Sequence, residues 1–507
     1  MPKLPIVLNT PPRDVAVRVD VLIERARRTD REGRVEEAIR LYRRILEMDP
    51  LNVQLMTYLG IALAGTGKYG QAIVQFDNAL RIDPDQPVAW LNRAVALEKT
   101  GRLAEALACH DRIVALRPDW EAGHLGRANV LHAMGRFEEA LAAYAPLEPL
   151  MERMAEVPAN RGGVWHAMGH VEEAMRDYGR ALALQPAHPW ALLNKATLLL
   201  LTGNFQDGFA LYESRHTIPE MKQSAPSFTQ PLWLGETNIA GKTILLYEEQ
   251  GIGDTIQFCR YAALAAEAGA RVVMEAQKPL VELMTTLTGV SQVVAEGDPL
   301  PAFDLRCPTM SLPLAFGTTL ETIPGKVPYL HADPARAAVW RERLSGLTGR
   351  RIGLVWAGGS RLGHMGAVAT DQRRSVPLAA LAPLAQVNNC VFVSIQLGRP
   401  AAQAAMPPAG MILHDYTAEL NSFADTAALI ENLDLVISVD TSTAHLAAAM
   451  GKPVWLLNRF DTCWRWLLDR DDSPWYPTLR QFRQPRPGDW ASVAARVAEA
   501  LRGFTPS

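Results

Sequence analysis

The sequence predicts two architectures in one chain, an all-α solenoid over residues 17–216 and an α/β unit of two Rossmann-like lobes beyond it. Three observations lead there. Glycines recur every 34 residues at Gly33, Gly67, Gly101, Gly135, Gly169 and Gly203. Past Tyr212 that period stops, and short apolar runs such as Thr243 to Tyr247 alternate with helical segments, the pattern of a parallel sheet covered on both faces. A length of 507 residues, 48% hydrophobic and 21% charged, is that of an ordinary globular chain too long for one core, so two or three domains are expected.

The 34-residue spacing is the tetratricopeptide period. Five residues beyond each glycine stands a small residue, Ala38, Ala72, Ala106, Ala140, Ala174 or Gly208. Four further on comes a ring: Tyr42, Phe76, His110, Tyr144, Tyr178 or Tyr212. A second small series runs Gly60, Ala94, Ala128, Gly162, Ala196. Small residues let paired helices approach, the ring wedges between them, and the glycine makes the joining turn. Pro50, Pro84, Pro118 and Pro186 stop each second helix. The fourth repeat departs, with Glu152 where proline is expected and prolines at 146, 149 and 158 instead, so a kink is expected there. His110 sits at a wedge position and reads as core. Such solenoids bind polypeptide along an inner groove. Trp90, Asn92, Trp120, His124, Arg127, Trp165 and Asn194 are the groove candidates, as residues of first helices. Residues 1–16 read as a flexible, proline-rich lead-in, and 217–236 as a linker rich in Pro, Ser, Thr and Gln.

The first lobe is expected over 237–345. Strand Thr243 to Tyr247 leads into the turn Glu249-Gln-Gly-Ile-Gly-Asp254 and a helix to about Ala266. Strand Arg271 to Glu275, a helix from Pro279 to about Leu287 and a strand near Val293 follow. The second lobe is expected over 346–507, with strands at 352–356, 391–395, 435–439 and 453–457 and a C-terminal helix. Ligands of open parallel sheets bind beyond the carboxyl ends of the strands, where the motifs of this chain fall.

Those motifs are Gly251-Ile-Gly-Asp254, Val439-Asp-Thr-Ser-Thr-Ala-His-Leu446 and Gly451-Lys-Pro453. A C-terminal stretch adds Trp464-Arg-Trp466, Ser473-Pro-Trp-Tyr-Pro477 and Phe482-Arg-Gln484. From about residue 20 onward the chain resembles GT-B glycosyltransferases of the heptosyltransferase type, in the version fused behind tetratricopeptide repeats. It is also similar to bacterial flagellin glycosyltransferases and, more distantly, to repeat-bearing transferases that put N-acetylglucosamine on protein hydroxyls. The resemblance implies a nucleotide-sugar donor as co-substrate with no further cofactor, a metal-independent inverting transfer, an acceptor side in the first lobe and a nucleotide side in the second.

Chemistry of the residues runs alongside. Asp440, Thr441, Ser442 and Thr443 end a buried strand and open a helix, whose free N–H groups and positive dipole end suit a phosphate; simple helix capping is the alternative. His445, one turn in, either faces the same anion or packs. The resemblance makes Arg373 and Arg374, on the loop that runs from Gly358-Gly-Ser-Arg361, the partners of the donor diphosphate, a role that suits the planar fork of arginine. It likewise makes Asp254 the general base that deprotonates the attacking hydroxyl, with capping of the following helix as the alternative. Gln250 and Gly253, with Trp356, Gln396 and Asp425 near strand ends of the second lobe, are expected to line the nucleoside cleft.

A near balance of 51 basic and 54 acidic residues supplies no electrostatic reason to expect nucleic acid. Five scattered cysteines form no C-x-x-C pair, pointing to a reducing, cytoplasmic setting with no thiolate metal site. No apolar stretch has the length of a membrane span; the run Ala196 to Thr202 is too short. The expected function is transfer of a sugar to Ser or Thr of a protein acceptor, flagellin being one candidate, recruited by the solenoid. The alternatives are an envelope-polysaccharide transferase and a non-catalytic scaffold with a vestigial fold.

Overall fold

The computed structural model describes residues 13–218, 221, 228–359 and 365–506. The chain divides into two compact units, Met1–Pro149 with Ser360–Thr370, and Leu150–Gly359 with Asp371–Ser507. Among the described residues no helix is long and apolar enough to cross a membrane.

The first unit carries α1 (Arg13–Arg31), α2 (Val35–Met48), α3 (Val53–Gly65), α4 (Tyr69–Ile82), α5 (Pro87–Lys99), α6 (Leu103–Leu116), α7 (Glu121–Ala133) and α8 (Phe137–Ala143). The second begins with α9 (Glu156–Ala167), α10 (Val171–Leu184), α11 (Pro189–Leu201) and α12 (Phe205–Tyr212). Helix α1 starts inside the expected lead-in, at Arg13; residues 1–12 lie outside those described.

Each helix pair turns on its periodic glycine. All six have left-handed φ, from +74° at Gly135 to +85° at Gly203, a conformation open to glycine because it lacks Cβ. The following N–H closes the same back-bond each time, Lys68 to Leu63 and His170 to Trp165 both at 2.9 Å, which satisfies a carbonyl at the helix end. The wedge rings Tyr42, Phe76, His110, Tyr144 and Tyr178 are at most 1% exposed. A Cβ on Gly60 would come within 2.5 Å of the Phe76 ring, and one on Gly162 within 2.8 Å of Tyr178, so the small residues are what admits the rings. His110 is a wedge, as its spacing implies, with Nε2 3.0 Å from Glu98. In the fourth repeat α8 spans seven residues against fourteen in α6, and a 3-10 turn with Pro149 inside it follows.

In the second unit a four-stranded parallel sheet contains β1 (Thr243–Tyr247), β2 (Arg271–Ala276), β3 (Val290–Ala295) and β4 (Leu305–Pro308), in the order β3-β2-β1-β4. A six-stranded parallel sheet contains β5 (Arg350–Val355), β6 (Cys390–Ser394), β7 (Leu413–Asp415), β8 (Leu435–Val439), β9 (Val454–Asn458) and β10 (Leu479–Arg483), in the order β10-β9-β8-β5-β6-β7. Strands β4, β7 and β10 are additions to the sequence reading. The helix expected to run from the Gly251 turn to Ala266 is two, α13 (Ile252–Phe258) and α14 (Tyr261–Glu267). The helix expected over 279–287 is present but shorter, a 3-10 turn Lys278–Leu280 that runs directly into an α-helical turn Val281–Met284. Further helices are α15 (Pro334–Arg343), α16 (Met365–Arg374), α17 (Phe423–Glu431), α18 (Ser442–Ala449) and α19 (Trp490–Arg502).

Strands β1, β2, β5, β6, β8 and β9 are buried on both faces along most of their length, so alternate residues feed different cores. Ile244 and Leu246 join one cluster that also holds Phe205 and Phe209 of α12, Val454 and Leu456 of β9, and Trp464, Trp466 and Trp475. Leu245 and Tyr247 join another. The stretch from Trp464 to Trp475 is the hub of the first cluster: Phe205 stacks on Trp475 at 5.7 Å, Phe209 meets Trp464 edge-on at 5.7 Å, and Phe258 of α13 reaches both tryptophans. Helix α19 covers the opposite face of the six-stranded sheet.

The expected linker is packed in part where it is described. Ile218 is buried, Trp233 is buried with its indole N–H on Thr237 O, and Leu232 bridges to Arg306 beside β4. The 219–220 and 222–227 parts of that segment lie outside the described residues. Arg215, 1% exposed, ties this region to β1: it bonds both oxygens of Glu249 at 2.7 and 3.1 Å, as well as Glu213 and Ser311. Burial alone would raise the Glu213 carboxyl, but the His216 ring 3.6 Å away, the Arg215 guanidinium and the Ser311 hydroxyl win and hold it at about 2.

Candidate functional site

Strand order reverses between β8 and β5 in the larger sheet, and their carboxyl ends open the crevice where parallel sheets take ligands. One wall is Asp440 and Thr441, which lead from β8 into α18. Thr441 stands at the N-cap with extended backbone, yet its hydroxyl makes no capping bond; it lies 3.0 Å from Ser438 Oγ instead. The N–H groups of Ser442 and Thr443 therefore keep their capacity to bind an outside acceptor, while that of Ala444 goes to Thr441 O at 3.1 Å. The other wall is Gly358, just past β5. A Cβ there would fall 2.2 Å from Asp371 and 2.4 Å from the Arg374 guanidinium, so glycine is what lets Arg374 lie in the crevice.

Arg374 donates from Nη1 to Asp440 O at 2.8 Å, and from Nε and Nη2 to Asp371 at 3.1 and 2.9 Å. Arg373 Nε binds Asp461 at 2.9 Å, and Arg459, the residue after β9, holds the same carboxylate. Burial pulls the Arg373 guanidinium below its ordinary pKa. Both arginines expected from the sequence are thus at the carboxyl ends of β5, β8 and β9, at the end of α16. The Ser360 to Arg361 part of the preceding loop lies outside the described residues. Replacing Gly358 by alanine is expected to push the Arg374 side chain out of the crevice, with loss of about 1.5–3 kcal/mol of any charge-assisted bond it gives an anion; nucleotide affinity of the variant against the parent measures it.

The smaller sheet brings its own turn to the same place. Gly253 lies against α18: a Cβ on it would stand 3.1 Å from the His445 ring and 3.5 Å from Ser442 Cα. Asp254 is the N3 residue of α13 and accepts the Gly251 N–H at 2.9 Å through Oδ2. Its other oxygen, Oδ1, takes the Arg465 guanidinium. Arg465 is buried, donates to Gln257 Oε1 at 2.8 Å and lies over the Trp464 ring at 4.4 Å. Burial works against its charge, but the Asp254 carboxylate outweighs that and holds the guanidinium protonated more firmly than usual. The sequence allows Asp254 two roles, base or cap. It does cap, and it also carries a buried cationic partner.

His445 packs. It is 4% exposed, Nδ1 is 2.9 Å from the Tyr476 hydroxyl, and the ring stacks on Trp466 at 5.2 Å. Burial lowers its pKa to about 4, so the ring is neutral at physiological pH and supplies no positive charge to an anion. Ser442 and Thr443 open α18 as expected, Thr443 largely buried.

The expected cleft residues divide. Gly253 is at the meeting of the two turns. Gln250 is held by α12, its Nε2 donating to Tyr212 OH at 3.1 Å. Trp356 does stand at a strand end, directly after β5, but its indole is fully buried in the core beneath α19. Gln396 spends its amide on the backbone, accepting from Trp356 and Ala357 N–H and donating to Ala357 and Leu397 carbonyls. Asp425 closes a capping box with Ser422 at the start of α17 and pairs with Arg336 at 3.0 Å. Gln396 and Asp425 hold the fold, because each has its polar capacity met by neighbours other than the crevice, whereas the Trp356 indole N–H is buried without a hydrogen-bond partner among the described residues.

Of the groove candidates, Trp90 and His124 play one role in successive repeats, their ring nitrogens 2.8 and 2.9 Å from the carbonyls of Pro84 and Pro118. Asn92 donates to Val88 O, and Arg127 pairs with Asp111 at 2.7 Å. Trp120 is the N-cap residue ahead of α7 rather than a member of it. In the second unit Trp165 packs on His170 at 5.4 Å, and Asn194 is part-exposed on α11.

Sequence profiles of the tetratricopeptide repeat match residues 63–130, and 23–87 with 167–215. A profile of glycosyltransferase family 9 (heptosyltransferase) matches residues 418–457, the stretch from before α17 through β8 and α18 into β9, which holds Asp440 to His445. Protein FlbA of Caulobacter vibrioides is 29% identical over 348 residues, or 62% of this chain. The alignment spans 55% of that relative, about half its length. Among solved structures, a tetratricopeptide repeat protein from Parabacteroides merdae is 18% identical with a TM-score of 0.37, over 39% of this chain and 79% of that one. YrrB, described as a TPR protein with an unusual peptide-binding site, is 23% identical with a TM-score of 0.31, over 34% and 90%. The chain therefore carries tetratricopeptide repeats followed by parallel α/β sheets, one stretch of which is similar to glycosyltransferase family 9.

Proposed function

We propose that the chain is a glycosyltransferase whose two sheets act as the lobes of a GT-B unit, moving a sugar from a nucleotide-sugar to a hydroxyl of a polypeptide held by the repeats. The observation that carries this reading is the contact between the turn after β1 and the start of α18, which sets Asp254 and the arginine-lined crevice on neighbouring elements. In this reading the diphosphate lies on the α18 N-terminus, with Arg374 and Arg373 turning from their carboxylates to its oxygens. The acceptor oxygen attacks the anomeric carbon from the Asp254 side, the bond from that carbon to the phosphate oxygen breaks, and the nucleoside diphosphate leaves with the electron pair. The acceptor proton passes to Asp254. In-line attack inverts the anomeric centre. Arg465 and the Gly251 N–H fix the carboxylate so that little reorganisation is needed at the moment of reaction.

Joining the repeats to the catalyst raises the local concentration of acceptor. Incubating the full chain with flagellin and each of a panel of nucleotide-sugars, then weighing the intact acceptor, tests the proposal. Addition of one sugar mass to the polypeptide is expected. Sugar appearing only on an envelope glycan substrate would favour the polysaccharide reading, and release of no nucleotide with any acceptor would favour a scaffold.

A further inference from the structure

The turn from β8 into α18 is tied to a buried relay of aromatic and cationic side chains that runs from His445 through Tyr476 to Arg260. Three neighbours fix the His445 ring. It stacks on Trp466 at 5.2 Å with 25° between the planes, Nδ1 lies 2.9 Å from the Tyr476 hydroxyl, and Nε2 lies 3.8 Å from Asp440 Oδ1. A neutral imidazole has one proton for its two nitrogens, and this ring is neutral, since burial lowers its pKa to about 4. The two partners decide where that proton sits. Asp440 is an anion: burial alone would raise its carboxyl, but His445, Arg374, the Trp466 indole and Arg459 outweigh that and keep it below the ordinary range. A carboxylate has no hydrogen to offer, so a bare Nε2 would turn its lone pair on a negative charge. The proton therefore belongs on Nε2, and Nδ1 is left as an acceptor.

Tyr476 meets that need. It is fully buried, where a hydroxyl hydrogen needs an acceptor. Arg260, between α13 and α14, strengthens it as a donor. That guanidinium is buried, and among the described residues no carboxylate pairs with it. Nε donates to Gln257 O at 2.8 Å, Nη1 to Trp475 O at 2.7 Å and Pro324 O at 3.3 Å, and Nη2 to Tyr329 OH at 2.8 Å. It lies 4.6 Å over the Tyr476 ring. Burial pushes the Tyr476 phenol up, while the Arg260 charge and the Tyr329 hydroxyl oppose the rise, and a phenol beside a cation gives up its hydrogen more readily.

We infer that Tyr476 is a positioning residue for the donor turn: its hydroxyl donates to His445 Nδ1, and the Nε2–H on the far side of the ring holds the Asp440 side chain. Asp440 is the joint of the crevice, because its carbonyl takes Arg374 at 2.8 Å and the peptide after it leads into α18. Its carboxylate would repel a phosphate bound beside it, and a donor fixed on that carboxylate weakens the repulsion. The benefit to an anion rests on the transferase reading, whereas the place of the proton does not.

Nitrogen NMR of the full chain carrying isotope-labelled histidine reads that place directly, because protonated and bare ring nitrogens resonate far apart; His445 is identified by the resonances that His445→Gln removes. Nε2 is expected to carry the proton, and in Tyr476→Phe the bare Nδ1 should move to the position of a nitrogen that accepts no hydrogen bond. Calorimetric titration with inorganic pyrophosphate reads the consequence. Tyr476→Phe, which removes one oxygen and keeps the ring, should bind about tenfold more weakly than the parent, a difference of about 1.4 kcal/mol. His445→Met should lose as much, whereas His445→Gln, whose amide offers both an acceptor and a donor, should keep most of the parental affinity. A proton on Nδ1 in the parent, pyrophosphate affinity unchanged by Tyr476→Phe, or equal losses in His445→Gln and His445→Met would overturn the inference and leave the donor crevice standing. The Nε2 proton in place in a chain that binds neither pyrophosphate nor a nucleotide would overturn the transferase reading and leave the hydrogen bonds as assigned.

Discussion

Asp254→Asn is expected to cut sugar transfer by about 10²–10⁴-fold, the usual contribution of a positioned general base, with nucleotide affinity unchanged. Asparagine keeps an oxygen for the Gly251 N–H but no longer neutralises Arg465, which is buried. Leaving that guanidinium without its counterion costs stability in its own right. The double variant Asp254→Asn with Arg465→Met removes both charges together, and a buried pair replaced by neutral groups is usually tolerated. The double variant should recover the unfolding midpoint and still lack transfer. Transfer at the parental rate in either variant would mean that the proton goes elsewhere.

The largest expected effect on stability is at Arg215. It is 1% exposed and serves Glu249, Glu213 and Ser311 at once. Arg215→Ala leaves two part-buried carboxylates, Glu213 and Glu249, without their cation, and breaking a buried pair from one side costs about 3–5 kcal/mol. Denaturant unfolding of the full chain, followed by a probe that reports the second unit, measures this; a loss below about 1 kcal/mol, the size of an exposed pair, would contradict it. The pH dependence gives a second readout. Glu213 is depressed to about 2 from an ordinary 4.5, so its contribution is fully present above pH 4.5 and is lost as pH falls toward 2. In Arg215→Ala the depression shrinks, and the drop in stability across that window should shrink with it.

What the sequence revealed depended on whether the determining contact was local. The repeats were legible because each anchor acts within its own helix pair: the left-handed glycine, the small residue and the ring it admits recur at fixed spacing and carry their reasons with them. The strand cores were legible as apolar runs, but not their orientation. A parallel strand buried on both faces has no alternation to say which side a residue points to. Trp356 and Gln396 were for that reason expected in the cleft, whereas the indole lies in the core under α19 and the amide ties two strand ends together. The break between α13 and α14 leaves no proline or glycine in the sequence to mark it. The partners of the site residues were out of reach for a different reason. Arg465 meets Asp254 across 211 positions, and Asp461 meets Arg373 across 88; local pattern holds no trace of either pair. A signal did exist at Trp464-Arg-Trp466, where one arginine between two tryptophans in an apolar stretch must be buried with a counterion.

The account depends on an anion being held where β8 turns into α18. Calorimetric titration of UDP, GDP, ADP and CMP into the full chain and into Arg374→Ala tests that most directly. One of the nucleotides should bind the parent, and the variant should lose about tenfold or more in affinity, in keeping with the loss of about 1.5–3 kcal/mol for a charge-assisted bond. Binding of the same nucleotide with equal affinity to both chains would place the diphosphate elsewhere and contradict the account.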